Sequence, residues 1–239
     1  LNNIWLTYNP LSMYDQAYEY LSRSLALSKD SENVVRLATT YGNMGMVHHN
    51  LGNFDQAMVA YQKALDYARS SGNPVKESHI LVNLGNLYHK LGDSNKSLDY
   101  YKESLSTVLE HDITSPTELS TKYKNIATRQ IELGELEQAR DNFEKALNLR
   151  KKVGDSREIA LSLLDMAQLD RRSGQYNEAL EYARRSKAIA DSLGIRDIEL
   201  EANMSLGSTQ RTMGNTRQAV PYFKKALQQS RELSRQQSL

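Results

Sequence analysis

Apolar residues recur three and four positions apart along most of this chain, and short polar turns separate the runs. The stretches 41–48 and 81–88 both show this spacing. It places the apolar side chains on one face of an α-helix. The 239 residues include only 4 prolines and 12 glycines, which is little material for the many turns of an all-β fold. The pattern therefore predicts an all-α protein.

The helical pattern repeats with a period of about forty residues. Equivalent turns carry a glycine, and the successive spacings are 40, 42, 40 and 40 residues for Gly52, Gly92, Gly134, Gly174 and Gly214. Forty residues before the first of these, the sequence matches only the second part of the repeat. We therefore predict a single array of helix-turn-helix repeats. It begins with one partial repeat that lacks its first part, and five complete repeats follow. Their approximate bounds are residues 1–34 (the partial repeat), 38–74, 78–112, 120–154, 160–194 and 200–239.

Small residues occupy three fixed positions of the repeat, seven before the turn glycine and five and twelve after it. Aromatic rings follow the glycine by nine residues at Tyr61, Tyr101, Phe143 and Phe223. Helices whose axes cross at ~8 Å leave no room for a large side chain at the contact. The small positions are therefore expected to mark close helix crossings. One helix pair cannot bury both of its faces, so neighbouring repeats must stack on it.

Along the repeat a small residue is followed by the turn glycine, then by a second small residue, an aromatic residue and a third small residue. Two stretches that show this order are NLGNLYHKLGDSNKSLDYYKESL (83–105) and LLDMAQLDRRSGQYNEALEYARRSKAI (163–189). This order resembles the tetratricopeptide repeat (TPR) family, over essentially the whole chain. The common TPR repeats every ~34 residues and ends its second helix at a proline, which is missing here. We therefore expect second helices one to two turns longer, ending at Gly72, Gly154 and Gly194. Repeats of this length resemble Rap/PlcR-type peptide sensors, Pins-type scaffolds and TPR sensor regions of bacterial regulators.

The resemblance implies a right-handed α-α superhelix, that is, a TPR solenoid of about six helix-turn-helix units. It also implies a non-catalytic protein- or peptide-binding module, forming the sensor or scaffold part of a larger signalling protein. The alternatives are a self-associating structural spacer and a regulatory domain attached to a kinase, cyclase or DNA-binding domain. The chain begins without an initiator methionine, so we expect a processed protein or an excised segment.

In resembling arrays the first helices line a concave groove, and the residue two before the small position faces it. Related proteins grip peptides there with a ladder of asparagines, because a carboxamide pairs with a peptide N–H and C=O together. The ladder positions of this chain are Asn43, Asn83, Asn125, Asp165 and Ser205. The predicted peptide-binding groove consists of Asn43, Met46, Asn83, Asn86, Lys124, Asn125, Asp165, Gln168, Arg171 and Arg172. The alternatives are that the asparagines are merely tolerated on a polar surface and that the two arginines are ordinary surface charges.

Other chemistry finds little support in the sequence. The chain has no cysteine, which excludes disulfides and Cys-based zinc sites, and it has no catalytic motif, so we expect no enzyme activity. His49 and His89 stand at equivalent positions, but without further ligands we predict a polar or pH-sensitive groove lining and neither metal nor cofactor. No apolar run is long enough for membrane insertion. We expect a cytoplasmic location, with a periplasmic sensor region as the alternative.

Charge indicates the class of partner. The net charge is only +1, which argues against nucleic acid and in favour of a protein or peptide ligand. Residues 211–239 carry six Lys or Arg against one Glu. That excess indicates either a solvated helix end or a docking site for an acidic neighbour or a nucleic acid. Leu227 and Leu233 would be exposed at an open end of the array, which would permit end-to-end association of copies.

Overall fold

The computed structural model describes residues 14–30, 33–113 and 115–236, and within these ranges the chain forms helices and no strand. The prediction of an all-α TPR solenoid of helix-turn-helix repeats is confirmed. The first thirteen residues of the clipped repeat lie outside the described residues. The helices are α1 Tyr14–Asp30, α2 Val34–Asn50, α3 Phe54–Ser70, α4 Pro74–Lys90, α5 Ser94–Glu110, α6 Pro116–Leu133, α7 Leu136–Val153, α8 Ser156–Arg172, α9 Tyr176–Leu193, α10 Arg196–Thr212 and α11 Thr216–Gln236.

Local sequence explains where these helices begin and end. The side chains of Asn73 and Asp155 accept hydrogen bonds of 3.0 and 3.1 Å from the backbone N–H three residues later, which caps α4 and α8. Gly154 and Gly194 end α7 and α9 in the left-handed conformation, with φ of 79° and 67°. Glycine reaches this region without a steric penalty because it has no Cβ. The second helices therefore end where the sequence predicts.

The chain divides into two compact halves, an N-terminal half Leu1–Thr114 and a C-terminal half Ser115–Leu239. In the N-terminal half, consecutive helices from α1 to α5 pack on each other, and the first helices α2 and α4 also touch. In the C-terminal half, consecutive helices from α6 to α11 pack in the same way, and the first helices α8 and α10 touch. Each half is thus a stack of helix pairs, and in each a wall is formed by neighbouring first helices.

The predicted small positions lie where helices cross most closely. A Cβ added at Gly85 would lie 2.9 Å from Cε1 of Tyr101, and a Cβ at Gly207 would lie 2.9 Å from Cε1 of Phe223. Contacts this short are not tolerated, so the ring of each second helix packs directly on the backbone of the first. Tyr61, Tyr101 and Phe143 are buried, with 1–4% of their surface exposed.

Arginines join neighbouring repeats in the C-terminal half. Arg150 of α7 is buried and reaches α8, where it donates to Ser162 Oγ at 2.6 Å and pairs with Glu158 at 2.9 Å. Arg140, also of α7, donates to the buried carboxylate of Asp170 at 2.5 Å. Such charge-assisted bonds are stronger than neutral ones and fix the orientation of the groups they join. No helix in the described part of the chain is both long and apolar enough to cross a membrane.

Candidate peptide-binding wall

The N-terminal half contains a cavity of about 220 Å³ between the first helices α2 and α4. Two predicted groove residues line it, Asn43 from α2 and Asn83 from α4. Its buried floor is Ala38, Gly42 and Ile80, and Thr39, Lys76 and His79 complete the lining. Two asparagines that are forty residues apart in sequence therefore lie on one cavity.

The two asparagines keep their hydrogen-bonding capacity. Within the described residues, the side chains of Asn43 and Asn83 make no hydrogen bond, although both are half-buried. Other asparagine side chains already make hydrogen bonds within the fold. Asn142 donates to Gln130 at 2.8 Å, and Asn203 donates to Gln229 at 3.0 Å. A half-buried carboxamide with two donors and an acceptor to offer is suited to a polar ligand.

The other predicted residues of the N-terminal half are placed differently. Asn86 accepts a 2.5 Å hydrogen bond from the hydroxyl of Tyr101, so its carboxamide is already engaged by the fold. Met46 is half-buried and packs against the hydrophobic core of this half. Neither side chain lines the cavity between α2 and α4.

A second cavity, of about 230 Å³, lies between the first helices α8 and α10 of the C-terminal half. The predicted residues Gln168 and Arg171 line it, whereas Arg172 is exposed beside it and does not. The remaining lining residues are Leu164, Glu201, Met204, Ser205 and Ser208. Arg171 makes no ion pair within the described part of the chain, so its charge is open to solvent or a ligand.

The ladder position of α8 carries a charge pair. Asp165 Oδ2 is buried and lies 3.4 Å from Lys124 Nζ of α6. Burial raises the pKa of Asp165, while the positive charges of Lys124 and Arg150 act in the opposite direction. The neighbouring ladder residue Asn125 is half-buried on α6, and its side chain makes no hydrogen bond to any described residue. The two halves thus present different chemistry at equivalent positions.

Sequence reasoning missed Lys76, His79 and Glu201. Lys76, Ile80 and Asn83 follow at i, i+4 and i+7 on α4, a spacing that puts them on one helix face. That spacing was the available signal for Lys76. Glu201 could be found in the same way, since it precedes the ladder position Ser205 by one helical turn.

Two neighbouring histidines of α2, His48 and His49, are half-buried. Burial lowers the pKa of His48 and of His49, and the charge of Lys90 lowers that of His49 further. Burial therefore favours the neutral form of both rings. Among the described residues, no three metal-ligating side chains come together.

Solved structures share this fold at low sequence identity, and no curated protein matches the chain in sequence. BtubC (BKLC) from P. vanneervenii has a TM-score of 0.80 and 18% identity, with 93% of each chain covered. A STAND signal-transduction ATPase from Pyrococcus horikoshii, described as having a TPR sensor, has a TM-score of 0.80 and 20% identity. A Rap protein complexed with Competence and Sporulation Factor has a TM-score of 0.73 and 16% identity.

Coverage differs between these proteins. The similarity takes in 98% of this chain but only 36% of the STAND protein, and 92% of this chain but 58% of the Rap protein. At the level of families, the model of the MalT-like TPR region matches residues 11–238, nearly the full length. The chain therefore belongs to the MalT-like TPR region family.

Proposed function

We propose that this chain is a non-catalytic binding module whose first-helix walls hold an extended peptide or a segment of a partner protein. The observation that carries the proposal is the cavity between α2 and α4, where Asn43 and Asn83 both present carboxamides with unused hydrogen bonds. A peptide backbone carries one donor and one acceptor per residue. Carboxamides on successive repeats can pair with both groups along an extended strand.

Preformed geometry favours such binding. The wall is built on helices that are fixed by buried rings and alanines, so few groups must become ordered when a ligand binds. The cavity also combines an apolar floor, Ala38 and Ile80, with polar groups around it. Small-molecule and side-chain sites commonly have this composition.

The similar structures give independent support. One is a Rap protein in complex with Competence and Sporulation Factor, and another is a STAND protein whose TPR part is described as a sensor. These descriptions belong to those proteins. They make a sensor or scaffold role the natural assignment for a stack of the same fold with an open first-helix wall.

The test is selection of random linear peptides displayed on phage against the immobilised chain, followed by binding titrations of the best peptide. The wild-type protein should select a peptide, and the double variant Asn43→Ala/Asn83→Ala should bind it about tenfold or more weakly, since each lost hydrogen bond contributes about 0.5–1.5 kcal/mol. Asn95→Ala/Asn177→Ala is the matched control, because these asparagines are exposed on the second helices α5 and α9. Equal affinity of all three proteins would refute the assignment.

A second candidate function is self-association. Val220 and Leu227 of α11 are 42% and 54% exposed, and their spacing of seven residues puts them on one face of the helix. Association through this face predicts a sedimentation coefficient that rises with protein concentration and a Leu227→Lys variant that stays monomeric. A sedimentation coefficient independent of concentration would rule it out.

A further inference from the structure

Gly42 lines the cavity between α2 and α4 and adds no side chain to it. The equivalent position, ten residues before the turn glycine, carries Val82, Lys124, Leu164 and Met204 in the other repeats. A Cβ at Gly42 would have no neighbour closer than 4.0 Å. Packing therefore does not require a glycine here, although glycine inside a helix costs roughly 0.5–1 kcal/mol relative to alanine. The residue leaves an open volume at a cost to helix stability.

One ammonium group is held at this cavity. Lys76 Nζ of α4 donates to Thr39 Oγ1 of α2 at 2.7 Å, and Thr39 Oγ1 itself donates to the carbonyl of Val35 at 2.9 Å. The lysine is thereby fixed across the gap between the two first helices. A lysine ammonium has three N–H donors, so two remain for a ligand.

The charge of Lys76 is not balanced by the fold. It makes no ion pair with any described residue, and none of the residues that line the cavity has a carboxylate. Lys124, Arg140 and Arg150 are also at least partly buried, and each of them has a carboxylate partner. Lys76 is therefore a fixed cation beside two unused carboxamides on an apolar floor.

We infer that this cavity binds a carboxylate group of the peptide held by the first-helix wall, an assignment that rests on the proposed function. The volume of about 220 Å³ suits one side chain. The methylene groups of a glutamate would lie on Ala38 and Ile80, and its carboxylate would accept from Lys76 and the amide of Asn43 or Asn83. Charge-assisted hydrogen bonds of this kind are about twice as strong as neutral ones.

The carboxylate can come from an acidic side chain or from the C-terminus of the peptide, and two phage libraries separate these sources. In one library random peptides are fused through their C-terminus, and in the other they end in a free carboxylate. A side-chain source predicts Glu or Asp at one fixed position in both selections. A terminal source predicts binders from the second library only.

The decisive measurement is a double-mutant cycle that combines variants of the protein with variants of the peptide. Lys76→Met keeps the length of the side chain and removes its charge, and the matched control Lys102→Met changes an exposed lysine of α5. Replacing the selected carboxylate by its amide should weaken binding to the wild type and to Lys102→Met about tenfold or more. The same replacement should change binding to Lys76→Met by less than about threefold.

Filling the cavity gives an independent test. A Cβ at Gly42 would lie no closer than 4.0 Å to Ala64 and Ile80, so Gly42→Leu adds its bulk at the cavity that Gly42 lines and should abolish the preference for the acidic residue. The carboxylate assignment is overturned if the selected peptides lack an acid, or if the amide replacement costs the same with Lys76→Met as with the wild type. In both cases peptide binding itself stands. If neither library yields a binder to the wild type, the proposed function falls and this assignment with it.

Discussion

The ring of Tyr61 packs on the backbone of Gly45, so closely that a Cβ at residue 45 would lie 2.5 Å from Cδ1 of the ring. Tyr61 is 1% exposed, and the two residues belong to the first and second helices of one repeat. The contact explains why the position seven before the turn glycine never carries a large side chain. Three residues earlier on the same helix, Gly42 meets no such constraint.

These two glycines should respond in opposite ways to the same substitution. Gly45→Ala forces the ring of Tyr61 to move, and we expect the free energy of unfolding to fall by about 1–3 kcal/mol. Gly42→Ala fits without a clash and should raise that free energy by up to about 1 kcal/mol, because alanine favours the helix. Urea denaturation followed by circular dichroism measures both. Equal effects at the two positions would contradict the packing described here.

Because the guanidinium of Arg150 is buried, removing either partner of its ion pair with Glu158 should change the free energy of unfolding by a different amount. Glu158→Ala leaves this cation buried beside Ser162 without its carboxylate, and stability should fall by about 1–3 kcal/mol. Arg150→Met removes the charge itself and should cost less, since the equivalent residues Ala68 and Ala190 are apolar. The comparison uses urea denaturation of the two single variants and the double variant. A larger loss from Arg150→Met than from Glu158→Ala would show that the pair contributes net stability.

Asp165 predicts a pH dependence of stability. Its pKa is raised in the folded state, so the folded protein holds this proton more tightly than the unfolded chain, whose Asp pKa is about 3.9. The stabilising effect of the proton is complete below that value and is lost as the pH rises through the folded pKa. The charged groups that act on Asp165 are Lys124, Arg150 and Glu201.

Asp165→Asn should therefore stabilise the fold at pH 7, and the gain over the wild type should shrink as the pH falls through the raised folded pKa toward about 4. The variant removes the buried negative charge and keeps the shape of the side chain. Chemical denaturation at a series of pH values provides the measurement, with Asp141→Asn as the control because Asp141 is exposed on α7. If the gain in stability from Asp165→Asn grew toward low pH, the pKa of Asp165 would be lowered by folding and not raised, which would contradict this prediction.

Much of this fold could be predicted from the sequence because its determinants are local and repeat. The turn glycines, the helix caps at Asn73 and Asp155 and the small positions each act through near neighbours in the chain or through one repeated crossing. The resemblance to the TPR family rests on the same residues. Because these residues recur at the same positions in successive repeats, together they are stronger evidence for the fold than the pattern of any single helix.

The chemistry of the wall could be predicted only in part. Asn43 and Asn83 follow from the repeat position, but the pairing of Lys124 with Asp165 depends on how α6 and α8 approach, which no spacing within one helix reveals. The engagement of Asn86 by Tyr101 likewise arises from the crossing of two helices. Gly42 belongs to a position where other repeats have larger residues, yet a cavity there becomes visible only when the neighbouring helix is in place.

The most direct test of the central claim is to observe the two wall asparagines during binding. Side-chain amide resonances of the ¹⁵N-labelled protein, assigned by substitution, can be followed by NMR as the selected peptide is added. Binding at the wall predicts that the NH₂ signals of Asn43 and Asn83 shift with increasing peptide, whereas those of Asn95 and Asn177 stay in place. A bound peptide that leaves the signals of Asn43 and Asn83 unchanged would contradict the account.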